Sequence, residues 1–380
     1  MTFLQGRQGP RRAPLLLGAV IVAALSVAVG AQALFPTPSL APTVLEEFSL
    51  TAVSSDLALA ELALRDGDWQ AAETQYARAI GADPASAAGE MGWARALLFQ
   101  YRFPEAVAHA RRAVDLAPRS APAQGVLAHA LNWAGQVDAA VAAARRSIEL
   151  DPQIADGYAF LAESLVDRFQ LAQARQQLER ALALEPSSVE PLRVRAYLLE
   201  TESRYEEAIE AYQAAIDAAP RYAHLYFALG NVYRSLDHLE EAAAAYRRAA
   251  DLAPADARPI TGVGLVRLLE DDLPAAIALF EQAAALDPDY STAHGQLGTA
   301  LYLQGNYTRA QEPLTRATQL ERTSERLSTY RHVLGWTSLR LGNLDRAEEE
   351  FQAALALNPA LDGAQQGLDA VALARQQAPQ

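Results

Sequence analysis

The residues with the most obvious chemical potential are six histidines, several adjacent acidic pairs and one short glycine motif. The histidines show neither an H-E-x-x-H spacing nor a comparable one, so the sequence predicts no zinc site. Gly262-Val263-Gly264 has the spacing that begins a glycine-rich phosphate loop, but no predicted strand precedes it. Acidic pairs such as Asp271 and Asp272 fall in predicted turns between helices, where carboxylates complement helix dipoles. We therefore expect a protein without catalytic activity, metal or cofactor.

Composition argues against further function classes. All 32 basic residues are arginine, and 46 acidic residues leave a net charge of −14, which disfavours binding to nucleic acid. The absence of cysteine excludes disulfides, thiolate metal sites and thiol nucleophiles. Hydrophobic residues make up 51% of the chain but aromatic residues only 7%, so Ala, Leu and Val carry most of the apolar mass. That balance is typical of helical proteins.

A second group of side chains is suited to binding a polypeptide. Arginine forks and asparagine amides can hydrogen-bond a peptide backbone or a carboxylate, and aromatic rings supply rigid contact area. Such residues are concentrated between residues 193 and 234, with two further aromatic residues nearer the C-terminus. The candidate binding residues are Arg193, Tyr197, His224, Phe227, Asn231, Arg234, Tyr302 and Trp336.

A 34-residue period indicates which elements position these residues. Prolines recur at this interval, and counted from Val53 the twentieth residue of every repeat is alanine, after a three-residue slip before the last. Small residues at fixed positions allow two helices to approach closely, and the bulky residues between them have helical spacing. The periodic prolines are Pro84, Pro118, Pro152, Pro186, Pro220, Pro254 and Pro288, and the alanines are Ala72, Ala106, Ala140, Ala174, Ala208, Ala242, Ala276, Ala310 and Ala347.

This pattern resembles the tetratricopeptide repeat (TPR), a 34-residue helix-turn-helix with small residues, bulky residues and a closing proline at these positions. The resemblance implies an all-α, right-handed superhelical solenoid of about nine helix pairs, followed by a capping helix and tail over 362–380. Two departures, Pro313 within a predicted helix and Arg322 in place of the closing proline, leave the superhelix geometry over 313–330 unpredicted. The repeats are 53–86, 87–120, 121–154, 155–188, 189–222, 223–256, 257–290, 291–324 and 328–361.

Stacked helix pairs form one continuous core and a long concave surface. Positions 2, 5, 9 and 12 of each first helix are left free of packing, and they match the positions that line the groove in the TPR family. The candidate residues occupy such positions, and the resemblance implies an extended peptide as ligand. Two arginines at a groove rim, Arg193 and Arg234, suggest an acidic or C-terminal peptide over repeats five and six. The alternative is that these side chains serve solubility and packing between repeats.

The N-terminus predicts a targeting segment. Residues 1–12 form a basic region with Arg7, Arg11 and Arg12, and 13–35 are almost wholly apolar. The segment is long enough to span a membrane, and the alternative is a signal peptide cleaved near Ala33. By the positive-inside rule either one predicts export of the rest. Residues 36–52 are proline-rich and predict a stalk leading into the first helix.

Together these features predict a bacterial interaction scaffold. The repeat domain would be extracytoplasmic and held at the cell membrane by a single span that contacts the lipid bilayer, or periplasmic or secreted after cleavage. It would bind peptide segments of partner proteins in its groove. The alternative function is a non-catalytic targeting or assembly subunit of an envelope enzyme, such as a glycosyl-transfer system.

Overall fold

The computed structural model describes residues 55–377, and in this range it contains 19 helices and no strand. Two helices form each repeat, and a final helix follows the ninth pair. The first helices are α1 (55–65), α3 (Ala87–Phe99), α5 (Ala121–Trp133), α7 (Ala155–Asp167), α9 (Val189–Thr201), α11 (Ala223–Ser235), α13 (Ala257–Leu269), α15 (Ser291–Leu303) and α17 (Ser324–Arg340). The second helices are α2 (Trp69–Ala82), α4 (Phe103–Leu116), α6 (Val137–Leu150), α8 (Leu171–Leu184), α10 (Tyr205–Ala218), α12 (Leu239–Leu252), α14 (Leu273–Leu286), α16 (Tyr307–Leu320) and α18 (Leu344–Leu357), and α19 (Asp362–Gln377) ends the array.

This architecture confirms the predicted all-α solenoid of consecutive helix pairs with a capping helix. The periodic small residues lie where helices cross, and Ala208 and Ala242 are both fully buried. A Cβ atom at Gly230 would lie 2.7 Å from the ring of Tyr246, so this crossing requires glycine. Helix α19 covers the last repeat, with Val371 buried beside Phe351.

The turn between the two helices of every repeat contains one residue with positive φ, always at the same repeat position. Four of these residues are glycine, whereas five carry side chains that rarely adopt this conformation. Tyr101, with φ 60°, is one of the five, and its side chain contacts distant repeats, as described below. The nine residues are Gly67, Tyr101, Gly135, Phe169, Ser203, Asp237, Asp271, Gly305 and Gly342.

The eighth repeat keeps its helix pair despite its departures from the pattern. Helix α16 is continuous and contains Pro313, which is buried. Glu321 is buried where the chain lacks the closing proline. It accepts hydrogen bonds from the hydroxyls of Ser291 and Thr323 and forms an ion pair with Arg326. The additional residues lengthen α17 to 17 residues, so the insertion extends a helix instead of interrupting the array.

Within residues 55–377, no helix is both long enough and apolar enough to cross a membrane. This finding contradicts the localisation expected from the sequence, a single-pass membrane protein with its repeats on the extracytoplasmic side. The segments on which that expectation was based, the basic region 1–12, the apolar segment 13–35 and the stalk 36–52, lie outside the described residues.

Repeats one and two contact repeats five to seven, although more than one hundred residues separate the contacting residues. Nε of Arg221 donates to the backbone oxygen of Asp66 at 2.6 Å, and the ring of Phe99 packs against Tyr222 with 4.6 Å between centroids. We call this set of interactions the closure contact. It joins Asp66, Trp69, Phe99 and Tyr101 on one side to Arg221, Tyr222, His224 and Arg258 on the other.

Candidate functional site

Helices of repeats two to six line a partly open cavity of about 310 Å³, which we call the inner cavity. The first helices of repeats three to six supply most of its walls, and the turn and second helix of repeat two and the second helix of repeat five supply the rest. Five of the eight predicted residues line it: Arg193, Tyr197, His224, Phe227 and Asn231. Its other main lining residues are Tyr101, Phe103, Asn132, Trp133, Glu163, Asp167, Glu200 and Tyr212.

Arg193 does not lie at a groove rim, which corrects the sequence-based expectation. Its side chain is buried, with a residue exposure of 3%, and its two terminal nitrogens donate to Glu163 at 2.7 and 2.9 Å. Its Nε donates to Glu190 at 2.8 Å. Burial raises the pKa of Glu163, but the charge of Arg193 and the hydrogen bonds from Arg193 and Trp133 together outweigh burial and bring the pKa to about 2. Arg193 is therefore already neutralised by the chain's own carboxylates.

Tyr197 and Glu200 are bound to neighbouring side chains by hydrogen bonds. The Tyr197 hydroxyl donates to Asp167 at 2.6 Å, and the amide of Asn132 donates to the other oxygen of that carboxylate at 2.7 Å. The Tyr212 hydroxyl donates to Glu200 at 2.8 Å. Burial raises the pKa of both carboxyl groups, although these hydrogen bonds oppose the shift.

His224 lies where the closure contact meets the inner cavity. Its Nδ1 shares a hydrogen bond of 2.7 Å with the Tyr101 hydroxyl, and its ring centroid lies 5.1 Å from that of Trp133. Burial lowers the pKa of His224 to about 3, with smaller contributions from the charges of Arg193 and Arg258. The imidazole is consequently neutral at physiological pH and acts as a structural group in the closure.

Phe227, Asn231 and Arg234 extend the site along α11. The Tyr246 hydroxyl donates to Oδ1 of Asn231 at 2.7 Å, and Nε of Arg234 lies 3.3 Å from the same hydroxyl. The half-buried ring of Phe227 packs near Tyr246, with 5.7 Å between centroids. Arg234 is half-exposed and has no carboxylate partner within ion-pair distance in the described chain, so its charge remains available at the edge of the site.

Tyr302 and Trp336 lie outside the inner cavity. Tyr302 packs beside Tyr307 of its own repeat, with 5.4 Å between ring centroids. Trp336 meets Phe351 edge to face at 5.4 Å, within the cluster that the capping helix covers. The structure therefore does not bring these two predicted residues together with the other six.

Sequence reasoning missed Tyr101, Trp133, Glu163 and Asp167. Glu163 occupies position 9 of repeat four, so the positional rule that selected Arg193 would also have selected it. Trp133 and Asp167 occupy position 13, one residue beyond the rule. Tyr101 lies in a turn, and no local signal places it against residues 123 positions later.

A second, larger cavity of about 660 Å³ adjoins the closure contact, but none of the predicted residues lines it. Its walls combine two arginines, Arg65 and Arg95, with Glu61 and Glu190. In the part of the chain that the structure describes, no group of three or more His, Asp or Glu side chains could hold a metal ion.

Sequence models described as tetratricopeptide repeat match most of the array. One matches residues 91–155, 161–223 and 194–257, a second matches 267–329, and a third matches 328–361. No curated protein gives a significant sequence match.

One solved structure shows the same fold, and others resemble parts of the chain. A chain of the APC/C hetero-tetramer Cut9–Hcn1 superposes with a TM-score of 0.64 at 17% identity, over 80% of this chain and 58% of that one. The chain thus spans less than two thirds of that relative. PilF of Pseudomonas aeruginosa gives a TM-score of 0.49 at 22% identity, over 56% of this chain and 95% of its own. YrrB, described as a TPR protein with an unusual peptide-binding site, gives a TM-score of 0.38 at 20% identity, over 50% of this chain and 97% of its own.

Proposed function

Because the chain is a tetratricopeptide repeat protein, we propose that it is a non-catalytic scaffold that binds peptide segments of partner proteins on its concave side. The observation that carries this proposal is the inner cavity. Five groove residues chosen from repeat position alone converge on one partly open space with aromatic walls. Aromatic side chains in a partly enclosed pocket are typical of the anchors that dominate protein interfaces.

The charges around this space bear on the kind of peptide. The acidic or C-terminal peptide suggested by the sequence depended on Arg193 and Arg234. Glu163 and Glu190 occupy the donors of Arg193, so only Arg234 remains to attract a carboxylate. A single half-exposed arginine at the edge is a weak basis for an acidic ligand, since exposed ion pairs contribute little to affinity.

Site-specific photo-crosslinking in the full-length chain tests the proposal. A benzophenone amino acid at Asn231, in the inner cavity, should crosslink partner polypeptides. The same group at Arg247, exposed on α12, serves as the control. Crosslinks from Asn231 but not from Arg247 support a concave binding site, whereas equal crosslinking from both positions contradicts it.

The composition of the crosslinked material separates two versions of the scaffold. A varied set of polypeptides supports a general adaptor. One catalytic polypeptide at constant stoichiometry supports the alternative, an assembly subunit of a larger enzyme. Both versions share the concave site, so the choice between them leaves the proposal on the binding surface intact.

A further inference from the structure

The inner cavity has more hydrogen-bond acceptors than the chain's own donors satisfy. Asp167 and Glu200 face it, and each accepts hydrogen bonds from neutral groups only. Within residues 55–377 no cation lies within ion-pair distance of either carboxylate, because the donors of nearby Arg193 are directed at Glu163 and Glu190. Two partly buried carboxylates without a counter-charge are unfavourable unless a cation joins them.

Asn132 supplies an independent sign that a donor is missing. This residue lines the cavity at 5% exposure, and its Oδ1 accepts no hydrogen bond from the described chain. The orientation of the amide is chemically determined, because its Nδ2 donates to the Asp167 carboxylate, which can only accept. A buried acceptor left without a donor is destabilising, so the position of this oxygen indicates a ligand that donates hydrogen bonds.

The remaining walls of the cavity are suited to a cation. Trp133, Phe227 and Tyr101 line it, and aromatic rings attract ammonium and guanidinium groups. The chain's own Arg258 lies over the rings of Tyr101 and Phe227 in this way. Arg193 already demonstrates this preference, with its guanidinium carbon 5.4 Å from the ring centroid of Trp133. Counted at their formal charges, the side chains that line the cavity, Glu163, Asp167 and Glu200 against Arg193, give a net charge of −2.

We infer that the inner cavity binds the cationic side chain, arginine or lysine, of a partner polypeptide, with Asp167, Glu200 and Oδ1 of Asn132 as its acceptors. This inference rests on the proposed scaffold function and specifies its ligand. It replaces the acidic peptide suggested by the sequence with a basic one. A volume of about 310 Å³ lies at the small end of the range for ligand pockets, which suits one extended side chain and not a folded element.

The test uses the full-length chain and four fluorescent heptapeptides of the form Gly-Ala-Gly-Xaa-Gly-Ala-Gly, capped at both ends. Xaa is arginine, lysine, citrulline or glutamate. Citrulline has nearly the shape of arginine without its charge, so it isolates the electrostatic contribution. We expect the arginine and lysine peptides to bind at least about tenfold more tightly than the citrulline peptide, since pairing a desolvated charge is worth about that much or more.

The matched variants are Asp167→Asn with Glu200→Gln in one protein, and Glu206→Gln with Glu210→Gln in the control. Both pairs remove two negative charges, but Glu206 and Glu210 are exposed on α10. The first pair should remove the preference for arginine over citrulline, and the control pair should keep it. Thermal unfolding of each variant confirms that the repeats remain folded.

The outcomes distinguish this inference from the scaffold proposal. Citrulline binding as tightly as arginine, or a preference that survives in the first variant, would overturn the cationic site even if crosslinking from Asn231 identifies partners. A charge-dependent preference that the first variant abolishes would support the cationic site even if crosslinking from Asn231 captures no polypeptide. In that second case the scaffold proposal alone would fail.

Discussion

The hydroxyl of Tyr101 and Nδ1 of His224 lie 2.7 Å apart, although 123 residues separate them in the chain. A solenoid is usually stabilised by contacts between neighbouring repeats only. This hydrogen bond instead links repeat two to repeat six. It also forms one wall of the inner cavity, so the stability of the array and the shape of the candidate site depend on the same contact.

Gly67 and Gly135 allow the closure contact to be tested with a matched pair of substitutions. Both glycines occupy the same repeat position, with φ of 73° and 74°. A Cβ atom at Gly67 would lie 2.6 Å from the backbone oxygen of Arg221, whereas at Gly135 no atom lies within 4 Å. Gly135→Ala should therefore lower the free energy of unfolding by about 1 to 2 kcal/mol, the cost of the left-handed backbone alone.

Gly67→Ala should lower the free energy of unfolding further, because the new methyl group also forces repeat one away from Arg221. Denaturant unfolding measures the difference, and hydrogen exchange should show faster opening of repeats one and two. Equal destabilisation by the two alanines would mean that the closure contact adds nothing to stability.

Because burial lowers the pKa of His224, the folded chain should lose stability as pH falls. The pKa of this residue is about 3 in the folded chain and about 6.5 when unfolded, so between these values the unfolded chain binds the proton more tightly. The stability it provides is complete above pH 6.5 and declines toward pH 3. Between pH 7 and pH 5 the decline from this group should be about 2 kcal/mol.

Comparing His224→Gln with Tyr101→Phe isolates that contribution. Both variants lose the hydrogen bond between the two residues, but only the first loses the imidazole. Between pH 7 and pH 5, the free energy of unfolding should fall less in His224→Gln than in the wild type. In Tyr101→Phe it should fall by as much as in the wild type. A wild-type pH dependence in His224→Gln would contradict the assignment.

Replacing Arg193 should lower the stability of the fold more than it changes ligand binding. Arg193→Met leaves Glu163 buried without its counter-charge, and breaking a buried pair in this way typically lowers the free energy of unfolding by about 3 to 5 kcal/mol. Changing Glu163 to Gln in the same chain removes that charge and should restore part of the loss. Chemical denaturation of both variants tests this. Retention of full stability by Arg193→Met would return Arg193 to the groove-rim role expected from the sequence.

A substitution at Ala208 tests whether the stability of each repeat depends mainly on its contacts with neighbouring repeats. Ala208 is fully buried at a helix crossing, and Ala208→Leu adds volume that should lower the free energy of unfolding by about 1 to 3 kcal/mol. Hydrogen exchange should quicken first in repeat five and its neighbours, because coupling between repeats is local. Uniform acceleration across all nine repeats would contradict that expectation.

The fold was predictable because the 34-residue period repeats the same packing requirement nine times. The site was predictable in part, since repeat positions alone selected Arg193, Tyr197, His224, Phe227 and Asn231 for one surface. Their partners were not predictable. Whether Arg193 meets a ligand or a carboxylate depends on the tilt between neighbouring repeats. The position of Tyr101 depends on how strongly that tilt accumulates over four repeats, and no residue pattern records either quantity.

The most direct test of the account compares two adjacent aromatic residues of α11. Phe227 lines the inner cavity, whereas Tyr226 lies outside it, near Arg248. The affinity for the arginine heptapeptide and the melting temperature are measured for Phe227→Ala and Tyr226→Ala. The account predicts that Phe227→Ala weakens binding by about 2 kcal/mol, well beyond any effect of its lower stability, and that Tyr226→Ala leaves affinity unchanged. Affinity that is unchanged in Phe227→Ala, or that falls in both variants in step with melting temperature, would contradict a binding site in the inner cavity.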